Sequence, residues 1–182
     1  MSSVHTTTAI RGRFLDIQNT VAQAREIHDQ VRYVEDGLLI TQNGKISWFG
    51  EWEAGQQHIP ENTQIQHYPE QLIVPGFIDT HIHFPQTEMV GAYGEQLLEW
   101  LNTYTFPTEM QFADKNYADK IAQFFVHELL KNGTTTALVF CTVHPQSVDA
   151  LFEAAEQHQM RLIAGKVMMD RHAPDELTDT AE

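Results

Sequence analysis

Between residues 74 and 170, three short apolar runs alternate with two helical patterns, and this alternation restricts the fold more than any other feature of the chain. The runs are "VPGFIDTHIH", "TTTALVFCTV" and "RLIAGKVMMD". In "NYADKIAQFFVHELLKNG", Ala118, Ile121, Ala122, Phe125, Val126, Leu129 and Leu130 recur at helical spacing, and Asn132-Gly133 supplies the stop. A second helix is expected to open at Ser147, with Val148, Leu151, Phe152 and Ala155 turned inward. Strand, helix, strand, helix, strand favours a parallel sheet joined by right-handed crossovers. The spacing of the last two strands is near the roughly 31 residues per βα unit of an eight-stranded barrel of about 250 residues. The fold class expected is therefore α/β, with residues 75–182 forming the first part of a TIM-type (β/α)8 barrel that this chain leaves incomplete.

Residues 1–74 read differently, as short strands and turns. "LLITQNGKISWFG" sets apolar runs on either side of Asn43-Gly44, a dipeptide suited to a two-residue hairpin because both turn positions need positive φ. A small β-sandwich-like domain, partial in this chain, is expected there.

Charge limits the partners. The 182 residues carry a formal charge of -14 with no basic stripe, which opposes binding to a phosphate backbone or an anionic membrane. No apolar run approaches the roughly 18 residues of a membrane span, and "MSSVHTTTAIRGRFLDIQ" lacks the apolar core of a signal peptide, so the expected location is the cytoplasm. The one cysteine, Cys141, lies in an apolar run and reads as a core thiol.

Along a strand, alternate side chains share a face, so Asp79, His81 and His83 point one way and Ile78, Thr80 and Ile82 the other. In a barrel the polar set would point inward near the C-terminal end of its strand, where the active sites of such barrels lie. Two neutral imidazoles can share one metal there, with a carboxylate fixing a ring tautomer. The alternative is a pair of hydrogen-bonded interior histidines.

"VPGFIDTHIH", after a β-rich leader with an "NGKI" hairpin, resembles the amidohydrolase superfamily, whose first barrel strand supplies an HxH metal pair. "HIHFPQ", "LLEWLNTYTFPTE", "NGTTTA" and "GKVMMDRHAPDELTDTAE" resemble, within it, the guanine deaminases, from about residue 30 onwards. The resemblance implies that His81 and His83 are zinc ligands and that Gln86 reads the purine, with His83, Phe84 and Pro85 also at the substrate. Phe84 and Pro85 could equally be ordinary loop packing. It implies guanine as substrate, deaminated hydrolytically to xanthine and ammonia in purine catabolism, and a homodimer for the full-length enzyme.

It also implies that the remaining ligands and the general acid/base lie beyond residue 182. The chain is thus expected to be the N-terminal portion of a deaminase, inactive alone. Another zinc amidohydrolase and a non-catalytic remnant are the alternatives. Trp100 and Phe106 are candidates for a lid or dimer contact, or for plain core. His144 and His172 follow strand-like runs, His127 and His158 fall in helices, Asp170 ends the third run, and Glu109 reads as a loop acid.

Overall fold

The computed structural model describes residues 6–19, 24–94 and 96–179. The chain divides into two compact units, Met1–Pro75 and Gly76–Glu182. The first five residues of the N-terminal stretch read above, and the last three of "DELTDTAE", lie outside the described residues.

In the first unit four strands form one sheet: β1 (Thr7–Ile17), β2 (Val31–Gln42), β3 (Lys45–Glu51) and β4 (Ile65–Ile73), in the order β3-β2-β1-β4. The neighbours are antiparallel except β1 and β4, which run parallel. Of a sandwich, the described residues supply this one layer. The β2–β3 hairpin turns on Asn43 (φ 53°) and Gly44 (φ 75°), with Gln42 opposite Lys45. A Cβ on Gly44 would meet nothing within 4 Å, so Gly44→Ala adds only the cost of a left-handed backbone. The expected loss is about 1 kcal/mol, read from urea unfolding. Ala9, Leu38 and Ile40 are fully buried, with Trp48, Ile59 and the Trp52 of a short helix, α1 (Trp52–Gly55), packed around them. Arg11 makes a two-pronged pair with Asp36 (2.7 and 2.6 Å) while its guanidinium lies 4.1 Å above the Trp52 ring. Flat stacking and a bidentate fork both exploit the planar guanidinium.

The second unit holds a parallel sheet of β5 (Phe77–His83), β6 (Thr134–Phe140) and β7 (Arg161–Gly165), in that order. Between β5 and β6 come α2 (Leu97–Trp100), α3 (Phe106–Met110) and α4 (Lys115–Lys131); between β6 and β7 comes α5 (Pro145–Gln157). Asp114 caps α4 by accepting from the Asn116 N–H at 2.9 Å, and Gly133 ends it with φ 86°. Ile82, Ala137, Val139, Leu162 and Ala164 of the sheet pack with Ala118, Phe125 and Val126 of α4 and with Ala150, Leu151 and Ala154 of α5. Each fully buried aliphatic such as Leu151 contributes about 2 kcal/mol. No helix among the described residues is long and apolar enough to cross a membrane.

Three details depart from the sequence reading. α5 starts at Pro145, with His144 before it; Ser147 is already inside the helix. The Ser147 hydroxyl, buried, accepts from the Thr142 N–H and hydroxyl and donates to the His144 carbonyl, so it ties the β6–α5 turn together. Phe152 is 43% exposed, and the buried stripe runs through Ala150, Leu151, Ala154 and Ala155 instead. β7 ends at Gly165 because its backbone then leaves the ladder: Val167 N–H bonds to the Thr142 carbonyl, and Met169 O accepts from Asp179 N–H.

Candidate functional site

The alternation of β5 sends Ile82 into the helix-packed core and leaves His81 and His83 on the opposite face with Phe140 of β6. Both imidazole centroids lie 4.9 Å from the Phe140 ring, and His83 stacks on it at an interplanar angle of 19°. The carboxylate of Asp79 is turned onto the strand itself, accepting the His81 N–H at 3.0 Å.

The two Nε2 atoms are 3.3 Å apart. Two nitrogens each about 2.0–2.1 Å from a tetrahedral zinc would be separated by about 3.3–3.4 Å, so the pair fits two corners of such a site. Burial, and then the neighbouring His81, lower the His83 pKa, which keeps that ring in the neutral form that binds metals. Among the described residues no group of three or more histidine, cysteine or acidic side chains converges, so the donors present are this pair.

The other candidates stand apart from it. His144 is half-buried at the start of α5, with its Nε2 sealed from solvent and without a hydrogen-bond partner, and burial lowers its pKa. His127 is exposed on α4, and the His158 ring nitrogen lies 3.2 Å from Gln123. His172 (φ 59°) is exposed, as is Asp170 beside Arg171. Cys141 is 2% exposed, and burial pushes its thiol up to about 12, as expected of a core thiol.

His81 and His83 open onto a cleft of about 630 Å³ whose wall also includes Gln86, Trp100, Phe124 and Glu128. Of the four residues expected at a substrate, His83 and Gln86 line this cleft. Phe84 and Pro85 are buried: the chain leaves β5 into a tight turn, Phe84–Met89, and the Phe84 ring lies against Phe112 (5.0 Å) and Phe125 (5.5 Å). Trp100, read as lid, dimer contact or core, stands in the cleft wall.

Glu109 requires correction. It is not on a loop: α2 and α3 are joined by a π-helical turn, Leu101–Thr105, so the run containing it is helical. Phe106 N–H donates to the Leu101 carbonyl five residues back, a wide turn that lets Pro107 enter without an N–H to offer. That proline is what disguises the helix in the sequence. Glu109 is 7% exposed, and burial pushes its carboxyl up to about 7 even though a hydrogen bond from Gln86 favours the ionised form.

A model of the amidohydrolase family matches residues 72–182. Guanine deaminase of Escherichia coli strain K12 is 62% identical over all 182 residues, which make up 42% of that protein. A solved structure of E. coli guanine deaminase superposes with a TM-score of 0.91 at 61% identity, over 96% of this chain and 40% of that one. The guanine deaminase of C. acetobutylicum, solved with guanine in its active site, gives 0.79 at 29% identity, over 96% of this chain and 39% of that one. The chain spans 42% of the length of that Escherichia coli relative and 38% of a probable guanine deaminase of Deinococcus radiodurans. A match over residues 72–182, beginning just before the strand that carries both histidines, is what places the sequence among its relatives: the chain belongs to the amidohydrolase family.

Proposed function

We propose that this chain supplies part of the metal and purine site of a guanine deaminase, which converts guanine and water to xanthine and ammonia. The observation that carries the reading is the meeting of His81 and His83, 3.3 Å apart at Nε2, in one cleft with Gln86, within a sequence so similar to guanine deaminases.

His81 and His83 would hold zinc through Nε2, with Phe140 stacked on the His83 ring and tilted against the His81 ring, both at 4.9 Å. Zinc, when bound, acidifies water and polarises the carbon–nitrogen bond under attack. Gln86 offers an acceptor and a donor side by side, a pattern that pairs with a purine edge. We assign no proton shuttle within the described residues: Glu109 has the acidity for one, but it does not line the cleft. The reading extends to purine catabolism, a cytoplasmic enzyme and a homodimer, and the support for these three is the resemblance alone.

The test uses protein expressed from the complete gene. Guanine should disappear as xanthine and ammonia form, a chelator should stop the reaction, and zinc should restore it. Zinc-loaded protein that leaves guanine untouched but hydrolyses another heterocycle would sink the proposal. Within that protein, Gln86→Ala should raise the KM for guanine at least about tenfold with zinc content unchanged, since it removes a substrate contact and no ligand. Loss of zinc in this variant would instead make Gln86 part of the metal support.

A further inference from the structure

On β6 the residues turned toward the helices, Ala137 and Val139, belong to the buried core, whereas Phe140 points to the other side of the sheet and is not part of that cluster. Its cross-strand neighbour on β7 is Gly165, which offers no side chain, and its cross-strand neighbour on β5 is His83. The ring leans on the two histidines: both imidazole centroids lie 4.9 Å from it, with the His83 plane at 19° to its own and the His81 plane at 49°. We infer that Phe140 is a positioning residue for the metal pair: its flat face sets the turn of both imidazoles about their Cβ–Cγ bonds and so keeps the two Nε2 atoms together. The inference rests on the reading of this pair as zinc ligands.

An imidazole turns easily about its Cβ–Cγ bond, because that torsion joins a tetrahedral carbon to a planar ring and its minima are broad. Nε2 lies off the axis of the bond, so every turn sweeps it along an arc, and a half-turn leaves Cε1 where Nε2 had stood. The strand therefore fixes the spacing of His81 and His83 but not the direction of their lone pairs. A flat ring against each imidazole removes that freedom. Turning His83 out of its stack drives an edge of the imidazole into the Phe140 ring, and turning His81 gives up the contact made by its tilt. The two imidazole planes stand at 54° to one another with their Nε2 atoms 3.3 Å apart, and one neighbour that touches both can hold the two angles at once. Phe140 does not line the cleft that Gln86 shares with the histidines, so its influence on a substrate runs through the pair. Leucine is apolar and bulky but has no flat face, and tyrosine keeps the face, so flatness can be separated from bulk by substitution.

The test is Phe140→Leu in protein expressed from the complete gene, with Phe140→Tyr beside it. Zinc affinity, read by competition with a coloured chelator, should fall about tenfold in Phe140→Leu and stay within about threefold of native in Phe140→Tyr. Cobalt(II) put in place of zinc should give visible absorption bands that shift in Phe140→Leu and persist in Phe140→Tyr, whereas a ring that only filled space would leave the bands of both variants unchanged. In the zinc-free native protein with nitrogen-labelled histidine, the His81 and His83 ring resonances, identified by their loss in His81→Ala and His83→Ala, should each form one narrow set. That measurement needs no Phe140 variant to fold. Multiple or broadened sets in the native protein, unchanged cobalt bands in Phe140→Leu, or equal loss of zinc from both Phe140 variants would each overturn the assignment. None of these readouts needs turnover: native protein that leaves guanine untouched while Phe140→Leu still weakens the metal site fails as a deaminase and keeps Phe140 as the residue that positions its histidines.

Discussion

Protein expressed from the complete gene and carrying His81→Ala is expected to lose zinc affinity by more than about a hundredfold, against no loss for Gln86→Ala. A catalytic zinc site commonly has about three protein ligands, so removing one imidazole takes away a large share of the donor set. His83→Ala should do the same. The geometry gives the reason: the Nε2 atoms already stand at the separation a shared tetrahedral ion requires, on neighbouring same-face positions of one strand, with Phe140 fixing both rings. The measurement is metal content after dialysis against a competing chelator. Retention of stoichiometric zinc by His81→Ala would return the pair to the alternative of two hydrogen-bonded histidines.

Glu109 should make stability depend on pH in an unusual sense for an acid. Its folded-state pKa is raised from 4.5 to about 7, so in that window the folded chain holds a proton that the unfolded chain has released. Stability contributed by this group is present below the unfolded pKa and is lost as pH rises through the folded one. The loss amounts to about 3 kcal/mol at most. His83 and His144, whose pKa values burial lowers, act in the opposite direction, gaining stability as pH rises toward their ordinary value. Comparison with Glu109→Gln removes them from the result. The variant should gain on the wild type between about pH 5 and pH 8, read from denaturant unfolding at each pH. A stability difference that stays flat across that range would mean that Glu109 ionises as freely as a surface acid.

What the sequence made legible was what depends on near neighbours. The stripe of α4, its stop at Gly133 and the Asn43-Gly44 hairpin follow from spacing and from φ, and the same-face placement of His81 and His83 follows from a two-residue period. The inward set of α5 was half legible, since Leu151 and Ala155 are buried but a phenylalanine at 152 attracts more notice than the alanines that pack there. Glu109 was misplaced because Pro107 signals a break, and only the wide turn ahead of it lets the helix continue. For Phe84 the sequence left substrate contact and ordinary packing both open, and its fully buried ring fits the second.

Cys141 gives the molecule a built-in clock. As the sole cysteine, buried under α4 and α5 with a thiol that ionises only near 12, it is close to silent toward alkylating reagents at neutral pH. Any labelling that does occur must pass through an opening of the second unit's core, so its rate reads the frequency of that opening. Within these 182 residues the same silence leaves a clean background: a cysteine introduced at an exposed position such as Tyr93 would take a probe far faster than Cys141.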